Sequence, residues 1–272
     1  MRRQLVLLAL WPVFWPVLWA GCGNVDDPGP PDAPPPPDLL TGTLRTGCVL
    51  ALHMDEAAWS GANGEVKDDC GNDNPGTLVG QGNTVADGVR GRAGSFSGNA
   101  CVDIPEADTL HGTTGLTLSA WILPTKLNHG SDANGIISKR TSGNNQNEYS
   151  VAVWIADHLY VDLDGETDRF DGTAVIIEKA WAQVTVVYDG TKAAAQRARV
   201  YVNGTLDVTR PETSATLTRY PSTLHVGCMP APTAPDPTQQ NFIGELDEVV
   251  IWNRALTDAE ITQWYTNTRP TR

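Results

Sequence analysis

The carboxylates are the residues of this chain with the most chemistry to offer. Asp55 follows a short apolar stretch, and Asp247 stands inside the apolar segment 243–252 near the other end of the chain. First and last strands of a sandwich often run side by side, so these two carboxylates can meet at one rim. The turn 68–74, DDCGNDN, adds further side-chain and carbonyl oxygens. A hard cation such as calcium takes six to eight oxygens, and loops rich in Asp, Asn and Gly can wrap one. The turn does not keep EF-hand spacing. The same residue types also cap strand ends and form Asx turns, which is the purely structural alternative.

Aromatic side chains offer a second chemistry, because sugar faces stack on Trp or Tyr while amides and carboxylates bond the hydroxyls. Trp59, in the loop EAAWSGANGE, and Trp154, beside Tyr160 across an expected hairpin, are free to face a ligand. Trp121, Trp181 and Trp252 stand in strand segments and read as core. The amide-rich loop 128–147 reads as solvated. Nucleophilic catalysis finds no support: GSFSG at 94–98 places Phe96 where a nucleophile elbow needs serine. His53, His111, His129, His158 and His225 are scattered with no HExxH or HxH pair, and no glycine-rich loop ends in GK, so no nucleotide cofactor is indicated.

The elements that must position these residues are short. The chain has 272 residues and a formal charge of −13, enough for one substantial core and lacking the basic footprint that nucleic acid or an anionic membrane surface requires. Candidate strands are 49–53, 94–97, 101–104, 116–123, 135–138, 149–155, 158–163, 181–188, 198–202, 223–226 and 243–252. Many short strands with turn signals between them argue for an all-β sandwich. In 181–188, Trp, Gln, Thr and Val alternate with Ala, Val, Val and Tyr. Asp164-Gly165 and Asn203-Gly204 suit the positive φ of two-residue hairpin turns. Asn203 also opens a glycosylation sequon, for which the turn reading is preferred. Thr257 and Glu260 form a capping box, and Ile261 and Trp264 then share one helical face. No repeat of 20 to 50 residues is visible.

The N-terminus carries an address. Arg2 and Arg3 precede an apolar run, 5–20, that is too short for the roughly 20 residues of a spanning helix and is interrupted by Pro12 and Pro16. It reads as a secretory signal over 1–21. LWAGC at 18–22 resembles a bacterial lipobox, which implies acylation of Cys22 and, with Gly23 following, an outer-membrane or cell-surface lipoprotein held at the membrane by its lipid. Several acyl chains, at about 0.8 kcal/mol per buried methylene, hold almost permanently. PGPPDAPPPP at 28–37 favours polyproline II, so 22–46 is expected to be an acylated spacer, with 23–46 reaching about 75 Å. Cys48, Cys70, Cys101 and Cys228 then remain, an even number that suggests two disulfides in an oxidising compartment. Three connectivities are open, and Cys70–Cys101 with Cys48–Cys228 is the one expected. Zinc lacks a CxxC pair or HxxxH spacing.

The blocks LALHMDE, DDCGNDNPGTL, GRAGSFSGNACVDIP, GLTLSAWILP, KAWAQVTVVYDG, ARVYVNG and FIGELDEVVIWNRALTDAEI, in that order, carry a family resemblance. They are similar to the LamG-like jellyroll domain of the concanavalin A-like lectin/glucanase fold. The resemblance implies a two-sheet antiparallel jellyroll sandwich over 47–266, a short C-terminal helix and a tail at 267–272. It also implies a structural calcium held by Asp55, Asn72 and Asp247. Glucanases of this fold class carry an E-x-D-x-E cluster in one strand. Here Glu245 and Asp247 share one face, Glu248 takes the other, and Val249 and Val250 stand where the second carboxylate is required. A retaining glycosidase needs its carboxyl groups about 5 Å apart, so the chain reads as non-catalytic. Since fold does not set function, the expectation is a surface-anchored module that binds a glycan or a cell-envelope or matrix component. A protein-interaction or adhesion module is the alternative, and a polysaccharide-cleaving enzyme comes third.

Overall fold

Side-chain alternation along extended segments organises the folded part of the chain. The computed structural model describes residues 39–129, 132–141, 147–165, 169–230 and 240–270. Cys22 and the proline-rich run lie outside the described residues. The strands are β1 (Cys48–Leu52), β2 (Thr77–Ala86), β3 (Arg92–Ile104), β4 (Gly115–Pro124), β5 (Asn134–Arg140), β6 (Asn147–Val153), β7 (His158–Leu163) and β8 (Phe170–Val175). They continue as β9 (Ala182–Asp189), β10 (Ala198–Val202), β11 (Thr205–Arg210), β12 (Leu224–Val226), β13 (Cys228–Met229), β14 (Gln240–Asn241) and β15 (Ile243–Trp252), before helix α1 (Asp258–Thr268).

The hydrogen-bonded order β11-β10-β9-β4-β15 forms one layer and β12-β5-β6-β7-β8 the other. The long strand β3 joins them: Gly94–Ser97 pair with β15, and Val102–Ile104 pair with β12. Gly98, at φ 90, lies between the two pairings, in a conformation that costs glycine least. β1 lies beside the second half of β15, Leu52 opposite Val249. Inward-facing residues at period two, such as Leu118, Ala120 and Ile122 of β4, Val184 and Val186 of β9, and Val151 and Val153 of β6, make one continuous core. This is the expected all-β antiparallel jellyroll sandwich.

A second apolar cluster covers the outer face of the first layer, where Leu40, Leu44, Tyr201 and Val250 pack with Trp252, Ile261 and Trp264. Trp252 and Trp264 meet edge to face at 5.7 Å, and the Trp252 indole N–H donates to the Leu44 carbonyl at 2.7 Å. The Thr257–Glu260 capping box is formed as the sequence predicts. Leu40 and Leu44 are buried, so the packed unit starts before the expected boundary at Gly47, and buried Thr268 extends it past 266. Spacing alone did not reveal this, because Leu40 and Leu44 bury in a cluster completed by Tyr201, Val250 and Trp252 of the strands and by Ile261 and Trp264 of α1, all more than 150 residues away in sequence.

Both disulfides form, but with the other pairing: Cys48–Cys70 and Cys101–Cys228, with Cα separations of 5.6 and 5.4 Å. The expected Cys70–Cys101 and Cys48–Cys228 are therefore corrected. Asp68 accepts the Ala51 amide and Asn72 donates to the Cys48 carbonyl, which pins the 68–74 turn along β1. Val226 lies opposite Val102, so the chain leaving β12 brings Cys228 to Cys101. β2 was not anticipated, because TLVGQGNTVA is polar and largely exposed along the edge of β3.

Candidate functional site

The acidic rim assembles where β1 ends and β15 bends. Between β15 and β4 the register jumps from Asp247↔Trp121 to Val250↔Ser119, and Glu248 takes φ 49. Strict alternation would send Glu248 inward with Leu246. The bulge instead makes Glu248 the extra residue, so that Leu246, Val249 and Ile251 all reach the core. Asp247 and Asp55 then face the same segment, 88–92. The Arg90 amide donates to Asp247 Oδ2 at 3.0 Å and the Arg92 amide to Asp55 Oδ1 at 2.7 Å. The fit is close, since a Cβ on Gly91 would stand 2.2 Å from Asp55 Oδ1.

Electrostatics at this rim are unfavourable for the carboxylates. Burial raises the Asp247 carboxyl well above its ordinary range, and the negative charges of Glu248 and Asp55 push it further. Burial also raises Asp55, against the lowering effect of the Arg92 amide. His53 Nδ1 lies 2.9 Å from Glu248 Oε2. Burial opposes the charged imidazole, but Glu248, Asp69 and Asp55 outweigh it and push the pKa up to about 9. Carboxylate oxygens are the donor class that a hard divalent cation takes, and Asp55 and Asp247 are the two of the expected set that face one segment here. Asn72 does not join them. It is exposed and bonded at Cys48, while Asp55 lies beyond the other end of β1, about 13 Å of strand away at 3.3 Å per residue.

The aromatic residues are distributed differently from expectation. Trp59 is 5% exposed and packs edge to face on Phe96 at 6.1 Å, within the main core. Its loop is drawn onto β2, where the Trp59 amide donates to Asn83 Oδ1 at 2.9 Å, and the indole fills the space above Gly94. It is unavailable to a ligand, contrary to the sequence reading. Trp154 and Tyr160 do meet, edge to face at 5.1 Å, on the outer face of the second layer beside Ala152 and Met229. Trp154 is half-buried and Tyr160 buried.

A groove of about 950 Å³ lies against α1, lined by Asp87, Trp121, Leu123, Lys179, Trp181, Asn203, Tyr265 and Arg269. Trp121 forms its base, stacked on Tyr265 at 5.7 Å and 24°, with its indole N–H donated to Thr268 Oγ1 at 2.9 Å. Half-buried Trp181 lines it as well, with exposed Lys179, Asn203 and Arg269. Neither cation has an ion-pair partner among the described residues. Trp121 and Trp181 were read as core. Only Trp121 is buried, and it lies under α1 outside the main core. The signal for Trp181 was present in β9, which it immediately precedes: the core positions there are Ala182, Val184, Val186 and Tyr188, so alternation puts Trp181 on the opposite side from Ala182. Tyr265 and Arg269 had no signal, because their position depends on where α1 docks.

Comparison with known proteins agrees with this architecture. Domain 4 of AbnA, an extracellular arabinanase of Geobacillus stearothermophilus solved with arabinotriose, superposes with TM-score 0.58 at 19% identity, over 79% of this chain and 96% of that domain. The binding domain of paraclostridial mosquitocidal protein 1 gives TM-score 0.60 at 15% identity, over 81% of this chain and 52% of its own. The binding domain of botulinum neurotoxin DC, solved with rat synaptotagmin II, gives 0.59 at 16% identity, over 83% and 52%. The chain thus spans about half the length of those two toxin domains. No curated protein matches its sequence. A family profile described as the concanavalin A-like lectin/glucanases superfamily matches residues 96–262, well over half of the sequence. The chain belongs to that superfamily.

Proposed function

We propose that this protein is a non-catalytic glycan-binding module, carried at the bacterial cell surface on an acylated Cys22 and a proline-rich spacer. The observation that carries the reading is the groove against α1. There the half-buried Tyr265 ring, backed by buried Trp121, and the half-buried Trp181 ring offer apolar faces beside Lys179, Asn203 and Arg269, which offer donors for hydroxyls. A concave site with aromatic walls and a few convergent polar groups is the usual form of a small-ligand site. The arabinanase domain solved with arabinotriose and a botulinum neurotoxin domain solved with SialylT support a saccharide as the ligand class. The Trp154–Tyr160 pair provides a second aromatic surface on the other layer.

Calcium has a structural part in this reading. Asp55 and Asp247 would hold it, and the ion would offset the repulsion between their carboxylates and brace segment 88–92, which leads from groove residue Asp87 into β3. Catalysis has no part. Asp247 accepts backbone amides of Arg90 and Glu248, Glu248 is engaged by His53, and Val249 and Val250 carry no acid.

The test is a glycan and envelope-polysaccharide array probed with the purified chain, with and without calcium, followed by Trp181→Ala. Saturable binding that weakens at least tenfold in Trp181→Ala supports the reading. A blank array from folded protein overturns it and directs attention to a protein partner. Release of reducing ends from a bound polysaccharide would overturn the non-catalytic part.

A further inference from the structure

The groove against α1 reverses the charge balance of the rest of the chain. Over the whole sequence 32 acidic residues stand against 19 basic ones. Among the described residues that line the groove, two cations, Lys179 and Arg269, stand against one carboxylate, Asp87. Other arginines are spent on the protein itself: Arg92 is bonded to Thr84, Arg199 to Asp258, Arg210 to the Asp171 carbonyl and Arg254 to Glu260. The side chains of Lys179 and Arg269 make no hydrogen bond or ion pair among the described residues.

The backbone delivers both side chains to the groove. Glu178 accepts the Leu127 amide on Oε1 at 2.7 Å, and the Lys179 amide donates to the Pro124 carbonyl at 2.7 Å. Held at both residues, the chain takes φ 60 at Lys179, a left-handed conformation that glycine adopts freely and a side chain adopts only at a cost. A residue kept in such a conformation points to a use for its side chain, and Lys179 has none within the protein. Arg269 follows Tyr265 by four residues at the end of α1, so it stands on the same side of the helix as that ring. A cation at a helix C-terminus also offsets the helix dipole, which is a purely structural use for Arg269. Lys179, in the loop between β8 and β9, has no such use.

We infer that the groove selects anionic saccharides, with a sugar ring resting on Trp181 and Tyr265 and a carboxylate or sulfate on that ring meeting Lys179 and Arg269. Attraction by the whole protein does not supply this selectivity, since a charge of −13 repels anions at long range. Both cations are exposed, so each contact contributes about threefold in affinity, and Asp87 works against them. The ligand class rests on the glycan reading above, whereas the reversed charge of the groove stands without it.

The test is calorimetric titration of the whole chain with two matched pairs. Trigalacturonate is compared with its methyl ester, which keeps the rings and removes the charges, and dextran sulfate is compared with dextran. In at least one pair the anion is expected to bind about tenfold more tightly than its neutral counterpart, and the pair that shows it tells carboxylate from sulfate. Lys179→Gln and Arg269→Gln keep an N–H donor at each position and remove the charge; each should cut the preference about threefold, and both together should erase it. Asp87→Asn should enlarge it. Lys179→Gly relieves the backbone, so it should hold or raise the Tm while losing the lysine's share of the preference. Equal affinity within both pairs, or a preference that survives the double replacement or shrinks in Asp87→Asn, overturns the inference. So does a lower Tm in Lys179→Gly, which would give the lysine a structural use. If neutral glycans bind with Trp181 dependence while neither anion is preferred, this inference fails and the glycan reading stands; if no saccharide binds, both fail.

Discussion

Replacing Glu260 with glutamine tests how the C-terminal helix is held in place, and with it the groove that Tyr265 and Arg269 line. Glu260 closes the capping box with Thr257 and takes two bonds from Arg254, at 3.0 Å from Nη1 and 2.8 Å from Nη2. Arg254 in turn donates to the Thr46 and Thr43 carbonyls of the N-terminal segment, at 2.7 and 2.6 Å. Hydrogen bonding from Arg254 holds the Glu260 carboxyl down to about 2, from an ordinary 4.5, despite partial burial and with help from Thr257. A depressed carboxylate contributes its stability fully above about pH 4.5 and loses it as pH falls toward 2. A shift of about 2.5 pH units sets a ceiling of about 3 kcal/mol, and partial access of water reduces the expected value to about 2 kcal/mol. Glu260→Gln should therefore lower the urea midpoint by about 1 M at pH 7, for a typical slope of about 2 kcal/mol per molar. The wild-type and variant midpoints should converge as pH approaches 2. Tryptophan fluorescence follows the transition, because Trp264 of this helix packs against Trp252 of β15. A constant offset at every pH, or none at pH 7, refutes the assignment of this stability to the Glu260 carboxylate.

Asp247→Ala should abolish calcium-dependent stabilisation, which in the wild type reaches about 2.7 kcal/mol when calcium stands at 100 times its Kd; a thermal shift with calcium that persists in the variant excludes Asp247 as a ligand. Peptide mapping without reduction should recover Cys48 linked to Cys70 and Cys101 linked to Cys228. Chain entropy gives about 5 kcal/mol for the 127-residue separation and about 3 for the 22-residue one, so Cys101→Ser should destabilise more than Cys70→Ser, and the reverse order by chemical denaturation contradicts it. Trp59→Ala should cost about 3 to 5 kcal/mol of stability and leave glycan affinity unchanged in the fraction that stays folded. A selective loss of binding would return Trp59 to the ligand site.

What the sequence determined by itself is local or periodic. Asn203-Gly204 specifies a tight turn, and Thr257 and Glu260 specify a helix start, because each depends on neighbours within a few positions. The ordered blocks from LALHMDE to the final DEVVIWNRAL identified the sandwich, since they record how those strands follow one another. The tertiary structure alone decided which distant segments meet. Cysteine pairing followed from the 68–74 turn lying along β1 and from the register of β12 on β3, neither of which spacing encodes. Trp59 stands in a polar loop and is buried because that loop folds onto β2. Asp247 and Glu248 diverge because the core admits Leu246, Val249 and Ile251 and has no place for a carboxylate, so the strand bulges. The groove exists only where α1 docks on Trp121. In each case the deciding energy is burial or desolvation between residues far apart in sequence, and a sequence read locally cannot express it.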